Sequence, residues 1–359
     1  MPDSAVIALD AMGGDFGPEV VIPAAAKILS RRKLLSIILV GDEERLRSCA
    51  QKHGIKLDDR LTIQHASEVV EMHDEPALAM RKKKDSSMRV AINLVHDGRA
   101  DAIVSAGKTG ALMATARFVL KTLPGIDRPA ICTTIPSKNG HTHMLDLGAN
   151  VDCSAEHLFQ FAVMGSVLTE AIDNVESPRV GLLNIGSEAM KGNAQVKAAD
   201  EYLADAPLNY IGFVEGDDIY SEKVDVVVCD GFVGNISLKT AEGVAKLISY
   251  YMKEEFKRGL YNKLAGLVAL PVLKAFKKRI DPGAYNGASL LGLKGIVIKS
   301  HGGADVNAYT NAIEIAVLEV QKSVPQQIQQ HIQPCLLYTS PSPRDRSRER
   351  VCRLLLEKG

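Results

Sequence analysis

The sequence predicts a three-layer α/β/α protein in which a largely parallel sheet is covered by helices on both faces. Short apolar runs rich in β-branched residues alternate with helix-length amphipathic segments from the start of the chain, and this alternation is typical of parallel sheets. Many of these runs end in glycine and polar residues. The 359 residues can bury a large core, and we expect one α/β domain over residues 1–333.

Ten runs have the length and composition of strands. They lie at residues 6–9, 36–40, 61–64, 102–105, 130–135, 142–147, 180–185, 209–213, 224–229 and 295–299. Helix-length segments separate most of them, so we expect the strands to be joined mainly by helices.

The segment 238–280 has a different character and predicts a protruding helical hairpin. Two long helices are expected, with a break near Gly259 and a kink before Pro271. Its basic and apolar residues include Lys263, Leu267, Leu273, Lys274 and Lys277. Such a segment can lie on an anionic bilayer or dock a partner helix, or it can be buried in a dimer interface. The sequence leaves these alternatives open.

Residues 334–359 predict a disordered tail, because they include a Ser/Pro/Arg-rich stretch without periodicity. We exclude this tail from the fold argument.

Composition excludes several classes of function. Lys plus Arg and Asp plus Glu both number 43, so no overall field attracts nucleic acid. Six cysteines without CxxC or zinc-ligand spacing indicate a reducing compartment. The longest apolar stretch, 264–273, is about half a membrane span. We therefore expect a cytoplasmic protein that meets a membrane only at its surface.

Two histidines, His141 and His143, alternate on a strand-like run and could share one face. Apart from Asp146 on the same run, no cysteine or carboxylate lies near them in the sequence, which favours surface histidines over metal ligands. We expect neither a metal nor a cofactor.

Six strand ends carry glycine beside polar residues. In open α/β sheets, ligands bind outside the carboxyl ends of the strands, where glycines and helix N-termini present N–H groups to anions. We therefore expect these ends to line one polar cleft. The candidate phosphate- or substrate-binding residues are Asp10, Gly13, Gly14, Gly17, Ser105, Gly107, Thr109, Asp146, Gly148, Asn150, Gly231 and Gly302.

Three familiar motifs are absent or incomplete. The run at 107–109 lacks the earlier glycine of a P-loop, the run at 13–17 is not a dinucleotide fingerprint, and no G-x-S-x-G elbow is present.

Six motifs together resemble those of the bacterial acyl-carrier-protein:phosphate acyltransferases, the PlsX family. They are IALDAMGGDFGP at 7–18, SAGKTGA at 105–111, DLGANVD at 146–152, NIGSEAMKGN at 184–193, CDGFVGN at 229–235 and SHGGAD at 300–305. The resemblance covers residues 6–324. The chain departs from it at Gly303-Ala304, where small hydroxyl residues are expected, and in the tail.

The resemblance implies a reaction in which acyl-[acyl carrier protein] and phosphate give acyl phosphate and free carrier. It also implies a fold similar to phosphate acetyltransferases and isocitrate dehydrogenase-like enzymes, in a homodimer without metal or nucleotide. It marks Lys191 as catalytic, a point charge on phosphate. Asn235 would donate to an oxyanion or cap a helix, and His301 would protonate the departing thiol. Asp10 and Asp146 would orient Lys191, backbone loops or the histidine.

An acidic carrier protein requires a basic docking face. The run Arg81, Lys82, Lys83 and Lys84 is one candidate, and the hairpin is the other. Two further functions stay open: a phosphate acetyl- or butyryltransferase that uses acyl-coenzyme A, and a non-catalytic membrane-associated scaffold.

Overall fold

The structure, a computed structural model, describes residues 4–279 and 282–339, with backbone alone for 277–279, 282, 284 and 333–339. Within these residues the chain forms eleven strands and eleven α-helices. The strands are β1 Ala5–Asp10, β2 Leu35–Gly41, β3 Leu61–His65, β4 Ala102–Ser105, β5 Ala130–Ser137, β6 Gly140–Leu145, β7 Val180–Leu183, β8 Tyr210–Val214, β9 Val226–Val228, β10 Ala288–Leu291 and β11 Ile296–Lys299.

Helices connect most of the strands. They are α1 Pro18–Arg31, α2 Glu43–Lys52, α3 Pro76–Lys82, α4 Ser87–His96, α5 Thr109–Leu120, α6 Ala155–Asp173, α7 Ala194–Ala204, α8 Gly231–Lys257, α9 Gly259–Arg279, α10 Val306–Lys322 and α11 Val324–Thr339.

All eleven described strands join one sheet, in the order β3-β2-β1-β4-β11-β10-β5-β6-β9-β7-β8. Pairing is parallel except around β10 and β5, where the β11–β10, β10–β5 and β5–β6 pairs are antiparallel. The predicted largely parallel sheet is therefore confirmed, but its two ends run in opposite directions.

Each expected strand overlaps an observed one, and β10 was missed. Its four residues lie between Gly287 and Gly292, so the apolar run is too short to reveal a period.

Both faces of the sheet are buried, which gives the predicted three layers. In β1, Ile7 and Leu9 pack on one face with α1 and α10, whereas Ala8 packs on the other face with α4 and α5. A third apolar cluster joins α6, α7 and α11 to the strands of the other half, around Phe159. Burial on both faces explains why these strands are almost continuously apolar.

The hairpin is present, and α8 and α9 meet at Gly259 as expected. Gly259 has a φ of 74°, in the left-handed region that glycine adopts without strain. Pro271 lies inside α9, which continues through it. Apolar side chains on α9 are open to solvent, and Leu267 is 62% exposed. No helix in the described part of the chain is both long and apolar enough to span a bilayer.

The expected tail boundary at 334 falls inside α11, which continues to Thr339. Residues 334–339 are therefore helical, and the rest of the expected tail lies outside the described residues. The side chain of Lys277 also lies outside them.

Candidate functional site

The six glycine-bearing strand ends lie on two opposite sides of the sheet, because the two groups of strands that carry them run in opposite directions. Strands β1, β4 and β11 are parallel to one another, and β6, β9 and β7 run the other way. The first loop set therefore comprises residues 10–17, 105–109 and 299–303, and the second comprises 146–150, 184–193 and 229–235. No hydrogen bond or ion pair between described side chains joins the two sets. The expectation of one cleft is wrong for the single chain, because the reversal at β10 and β6 was not foreseen.

Asp10 holds the first loop set together from its buried position at the end of β1. Ser87 and Ser105 donate hydroxyl hydrogen bonds to its two carboxylate oxygens, each at 2.6 Å. Ser105 in turn accepts from the backbone N–H of Gly107 at 3.0 Å. Burial raises the pKa of Asp10, and these hydrogen bonds oppose the rise. Asp10 thus orders loops, and it forms no contact with Lys191.

The loops of the first set pack too closely for side chains. A Cβ on Gly13 would lie 2.8 Å from the backbone nitrogen of Gly107, and one on Gly14 would lie 3.0 Å from the carbonyl oxygen of Gly302. The set encloses a cavity of only about 10 Å³. That is barely one water, so a phosphate could contact these loops only from their solvent side.

The other residues predicted in this set mark helix starts and a loop tip. Gly17 caps α1 and Thr109 is the first residue of α5. His301 is exposed, and its Nδ1 accepts the backbone N–H of Gly303 at 3.1 Å. His301 therefore sits at the opposite sheet edge from Lys191 and Asn235.

Lys299, the last residue of β11, was not foreseen as a site residue. Its Nζ donates to the backbone oxygens of Ser300 and, at 3.4 Å, of Ala106. In the described part of the chain no carboxylate forms an ion pair with it. Burial lowers the pKa of Lys299 to about 8, against the charges of Asp10 and Asp15. The available signal was a lysine ending an apolar strand directly before a glycine-rich loop.

An open groove of about 460 Å³ adjoins the first set through Phe16. It runs between α1 and α2, and its lining includes Glu19, Arg45 and Lys52. Its volume suits a small organic molecule, and its charged walls favour a polar one.

Asp146 organises the second loop set from the end of β6. Its carboxylate accepts the backbone N–H groups of Ile131, Ala149 and Asn150, at 2.9, 3.1 and 2.7 Å, and the Asn150 amide at 2.9 Å. Burial raises the pKa of Asp146, and these donors oppose the rise. Of the partners expected for Asp146, the backbone loop is the one observed.

The start of α8 packs directly onto this loop. A Cβ on Gly231 would lie 2.6 Å from the carbonyl oxygen of Asn150, so only glycine allows the approach. Asp230 caps the helix by accepting the backbone N–H of Val233 at 2.8 Å. Asn235 is therefore one turn inside α8 and is not its cap. It is exposed and faces Gly148, whose φ is 114°.

Lys191 lies in the loop between β7 and α7, next to the loop that follows β9. Its side chain is 43% exposed, and Nζ is 2.7 Å from Oε2 of Glu188. This hydrogen bond raises the pKa of Lys191. The side chain of Asn193 caps α7 by accepting the backbone N–H of Val196 at 2.8 Å. The second set thus combines a lysine, an exposed amide and two helix N-termini, which are donors suited to anions.

The basic run at 81–84 is only partly available to a partner. Lys83 turns inward, where Nζ contacts Asp74 at 2.5 Å and the backbone oxygen of Val69 at 2.7 Å. This ammonium already anchors a loop, and the expected docking role of Lys83 stays a prediction. Arg81, Lys82 and Lys84 are exposed.

Comparisons with known proteins agree with these motifs. A family model described as "Fatty acid synthesis protein" matches residues 5–327. A protein named "Phosphate acyltransferase" from Alkalilimnicola ehrlichii is 63% identical over 343 residues, which is 96% of this chain and all of the relative. A protein of the same name from Methylococcus capsulatus is 64% identical over 322 residues, 90% of this chain and 95% of the relative.

Solved structures show the same fold at low identity. A phosphotransacetylase from Streptococcus pyogenes superposes with a TM-score of 0.63 at 20% identity, covering 89% of this chain and 95% of its own. A branched-chain phosphotransacylase from Enterococcus faecalis gives a TM-score of 0.55 at 14% identity, covering 88% and 99%. The expected fold class is confirmed.

Proposed function

Because the chain belongs to the fatty acid synthesis protein family, we propose that it transfers a fatty acyl group from acyl-[acyl carrier protein] to inorganic phosphate. A phosphate oxygen attacks the thioester carbon, the C–O bond forms and the C–S bond breaks. The carrier thiolate leaves and takes up a proton, and acyl phosphate is released for phospholipid synthesis. The name shared by relatives at 63–64% identity supports the acyl transfer to phosphate.

The observation that carries the mechanism is the composition of the second loop set. Phosphate is already a nucleophile and thiolate a good leaving group, so the site must mainly position a dianion and stabilise an oxyanion. Lys191 would exchange Glu188 for phosphate, since both bind its ammonium group as anions. Asn235 would donate its amide N–H to the thioester oxyanion, because this exposed amide has no hydrogen bond to the described residues.

The first loop set would hold another part of the substrates. Its backbone N–H groups and the Lys299 ammonium would supply positive charge. Asp10 and Asp15 act on this ammonium through their charges, but no carboxylate among the described residues forms an ion pair with it. His301, exposed beside them, would exchange a proton there. A homodimer belongs to the proposal as the assembly implied by the family.

Carrier protein and membrane contact are assigned to the hairpin and the exposed part of the basic run. Leu264, Leu267 and Val268 are exposed on α9 beside Lys263 and Lys274. Apolar groups flanked by ammonium groups favour an anionic bilayer surface or an acidic protein.

The decisive experiment incubates the protein with palmitoyl-[acyl carrier protein], with and without phosphate, and measures free carrier thiol. Phosphate-dependent release, with acyl phosphate trapped by hydroxylamine, is the expected result. Parallel reactions contain palmitoyl- or acetyl-coenzyme A. Faster turnover with a coenzyme A thioester would assign the protein to the coenzyme A alternative, and no turnover with any donor would favour the scaffold.

A further inference from the structure

Two histidines and one aspartate converge at the end of β6 that lies away from Asp146. His141 and His143 are two residues apart on β6, so their side chains point to the same face. Asp173, the last residue of α6, reaches the same place. One of its carboxylate oxygens lies 2.9 Å from Nε2 of His141 and 2.8 Å from Nε2 of His143. The carboxylate that the sequence did not place near these histidines therefore comes from thirty residues away.

We propose that His141, His143 and Asp173 form a binding site for a divalent transition metal, with Zn²⁺ as the fitting ion. Two imidazole nitrogens and one carboxylate oxygen match the ligand preferences of zinc, whereas Ca²⁺ and Mg²⁺ prefer oxygen ligands alone. The three ligand atoms lie within 4.8 Å of one another.

The geometry requires only a small adjustment. In a tetrahedral zinc site with bonds of about 2.0–2.2 Å, neighbouring ligand atoms are about 3.3 Å apart. The observed nitrogen–oxygen separations are 2.9 and 2.8 Å, so each must open by about 0.5 Å to admit the ion. The protons that now join the histidines to Asp173 would be released as the metal binds.

The surroundings orient the ligands and leave an entry path. His143 is 6% exposed, Asp173 19% and His141 33%, so the site opens to solvent on the His141 side. The hydroxyl of Thr134 lies 3.4 Å from Nδ1 of His143. That contact is of the kind that orients a metal-binding imidazole through its second nitrogen.

The charge around the site also favours a cation. Asp173 ends α6, where the helix dipole presents its negative end and a second negative charge is unfavourable without a counter-ion. Asp225 lies nearby but is engaged by Arg179, whose guanidinium meets both of its oxygens at 2.9 and 2.7 Å. Asp225 therefore does not fill the fourth position, which is open to water or to another molecule.

One other group of three candidate ligands occurs among the described residues, Glu19, Cys49 and His53. Glu19 there is already bound by Lys52 and His53 at 2.8 Å each. Burial raises the pKa of the Cys49 thiol, which disfavours the thiolate that zinc needs. His53 is therefore the matched control for the proposed site.

The test titrates Zn²⁺ into chelator-treated full-length protein and follows binding by competition with a chromophoric chelator. We expect one zinc per chain, and at least tenfold weaker binding in His141→Ala and in Asp173→Asn. His53→Ala keeps the affinity of the parent protein. Co²⁺ in place of Zn²⁺ gives the visible spectrum of a four-coordinate ion, and both cluster variants lose it.

Circular dichroism and melting without metal check that the variants are folded, and His141 is preferred to the buried His143 for this reason. A parent protein that binds no zinc overturns the proposal. Unchanged zinc binding in both folded variants, or its loss in His53→Ala, overturns it equally. None of these readouts depends on acyltransferase activity.

Discussion

Asn235 lies against Gly148 across the junction of α8 and the loop after β6, and a Cβ on Gly148 would come within 3.5 Å of the Asn235 Cβ. The contact brings an exposed amide to the loop that Asp146 holds in place. Lys191 lies in the neighbouring loop at the same sheet edge. These residues are the ones on which the proposed acyl transfer depends.

Lys191→Ala is expected to lower kcat for acyl-phosphate formation about 10²- to 10³-fold, because a charge on the attacking phosphate is lost. Asn235→Ala should have an effect of similar size on the oxyanion. Both melting temperatures should stay close to the parent value, since the Lys191–Glu188 pair is exposed and contributes little stability. Glu188→Gln is the control and should retain activity. Near-normal turnover of Lys191→Ala would remove this lysine from the mechanism.

Lys299→Met is expected to stabilise the fold and impair catalysis. Burial lowers the pKa of Lys299 to about 8, whereas an unfolded lysine titrates near about 10.4. Between these two pH values the unfolded chain holds a proton that the folded chain has released, so the stability of the parent protein rises with pH. Below about pH 8 the full free-energy cost of burying the charged ammonium group is present. The variant should therefore gain about 2–3 kcal/mol at pH 7 and almost nothing above about pH 10.4.

Denaturant unfolding at pH 7, 8, 9 and 10 measures this difference. Lys294→Met, which replaces an exposed lysine in the preceding loop, should give no pH-dependent gain. In the acyl-transfer assay, Lys299→Met should lower kcat/KM at least tenfold. A variant with the parent kcat/KM would exclude the first loop set from substrate binding.

Glu319→Gln is expected to stabilise the protein with the opposite pH dependence. Glu319 is fully buried on α10, where the Ser289 hydroxyl donates to it, and burial raises its pKa to about 7. As pH rises from about 4.3 to 7, the unfolded chain loses a proton that the folded chain keeps, so parent stability falls. The gain in the variant should therefore grow over this range to about 3 kcal/mol.

Unfolding free energies at pH 5, 6 and 7.5 test the trend. Glu314→Gln on the same helix, where Glu314 pairs with Arg32 at the surface, should show no such gain. A constant difference between Glu319→Gln and the parent across this range would contradict a buried, titrating Glu319.

Leu267→Glu in the hairpin is expected to weaken binding to phosphatidylglycerol vesicles about tenfold or more, because burial of a leucine side chain is worth about 1.5–3 kcal/mol. Leu273→Glu tests the second predicted contact. Vesicle co-sedimentation measures both, and Ala265→Glu is the control that adds the same charge at a small residue of α9. Equal losses of vesicle binding in all three variants would indicate a charge effect without insertion of apolar side chains. If none of the variants lost vesicle binding, the hairpin would instead be assigned to contact with the carrier protein or with a second subunit.

The expected strands were predictable because each is a buried apolar run whose boundaries are marked by polar residues. The direction of the sheet was not predictable, since pairing of β10 with β11 and β5 depends on contacts between distant segments. That reversal alone separates His301 from Lys191. The positions of Asp10 and Asp146 in loops were predictable, because each lies in a short glycine-containing motif and such motifs indicate the local backbone conformation.

Side-chain partners at long range were the other gap in the sequence-based predictions. Nothing near Lys83 indicates that it turns toward Asp74, and nothing near His143 indicates Asp173. The sequence allowed two roles for Asn235, donor to an oxyanion or helix cap. The structure shows that Asp230 is the cap of this helix. In the sequence, Lys299 is an ordinary residue at the end of a strand. Its burial depends on loops from distant parts of the chain, which the sequence does not bring together.

The position of β10 and β11 also determines how the chain assembles. These strands come from the last quarter of the described sequence, yet they lie between β4 and β5 in the sheet. Segments made earlier form two separate ladders, which become continuous only when residues 288–299 insert between them. The contact of Lys299 with Ala106 spans 193 residues, and closing loops of that length slows folding. Until β10 and β11 have been synthesised, the two ladders each have an unpaired edge strand where β10 and β11 will insert. The sheet is therefore completed late in the synthesis of the chain.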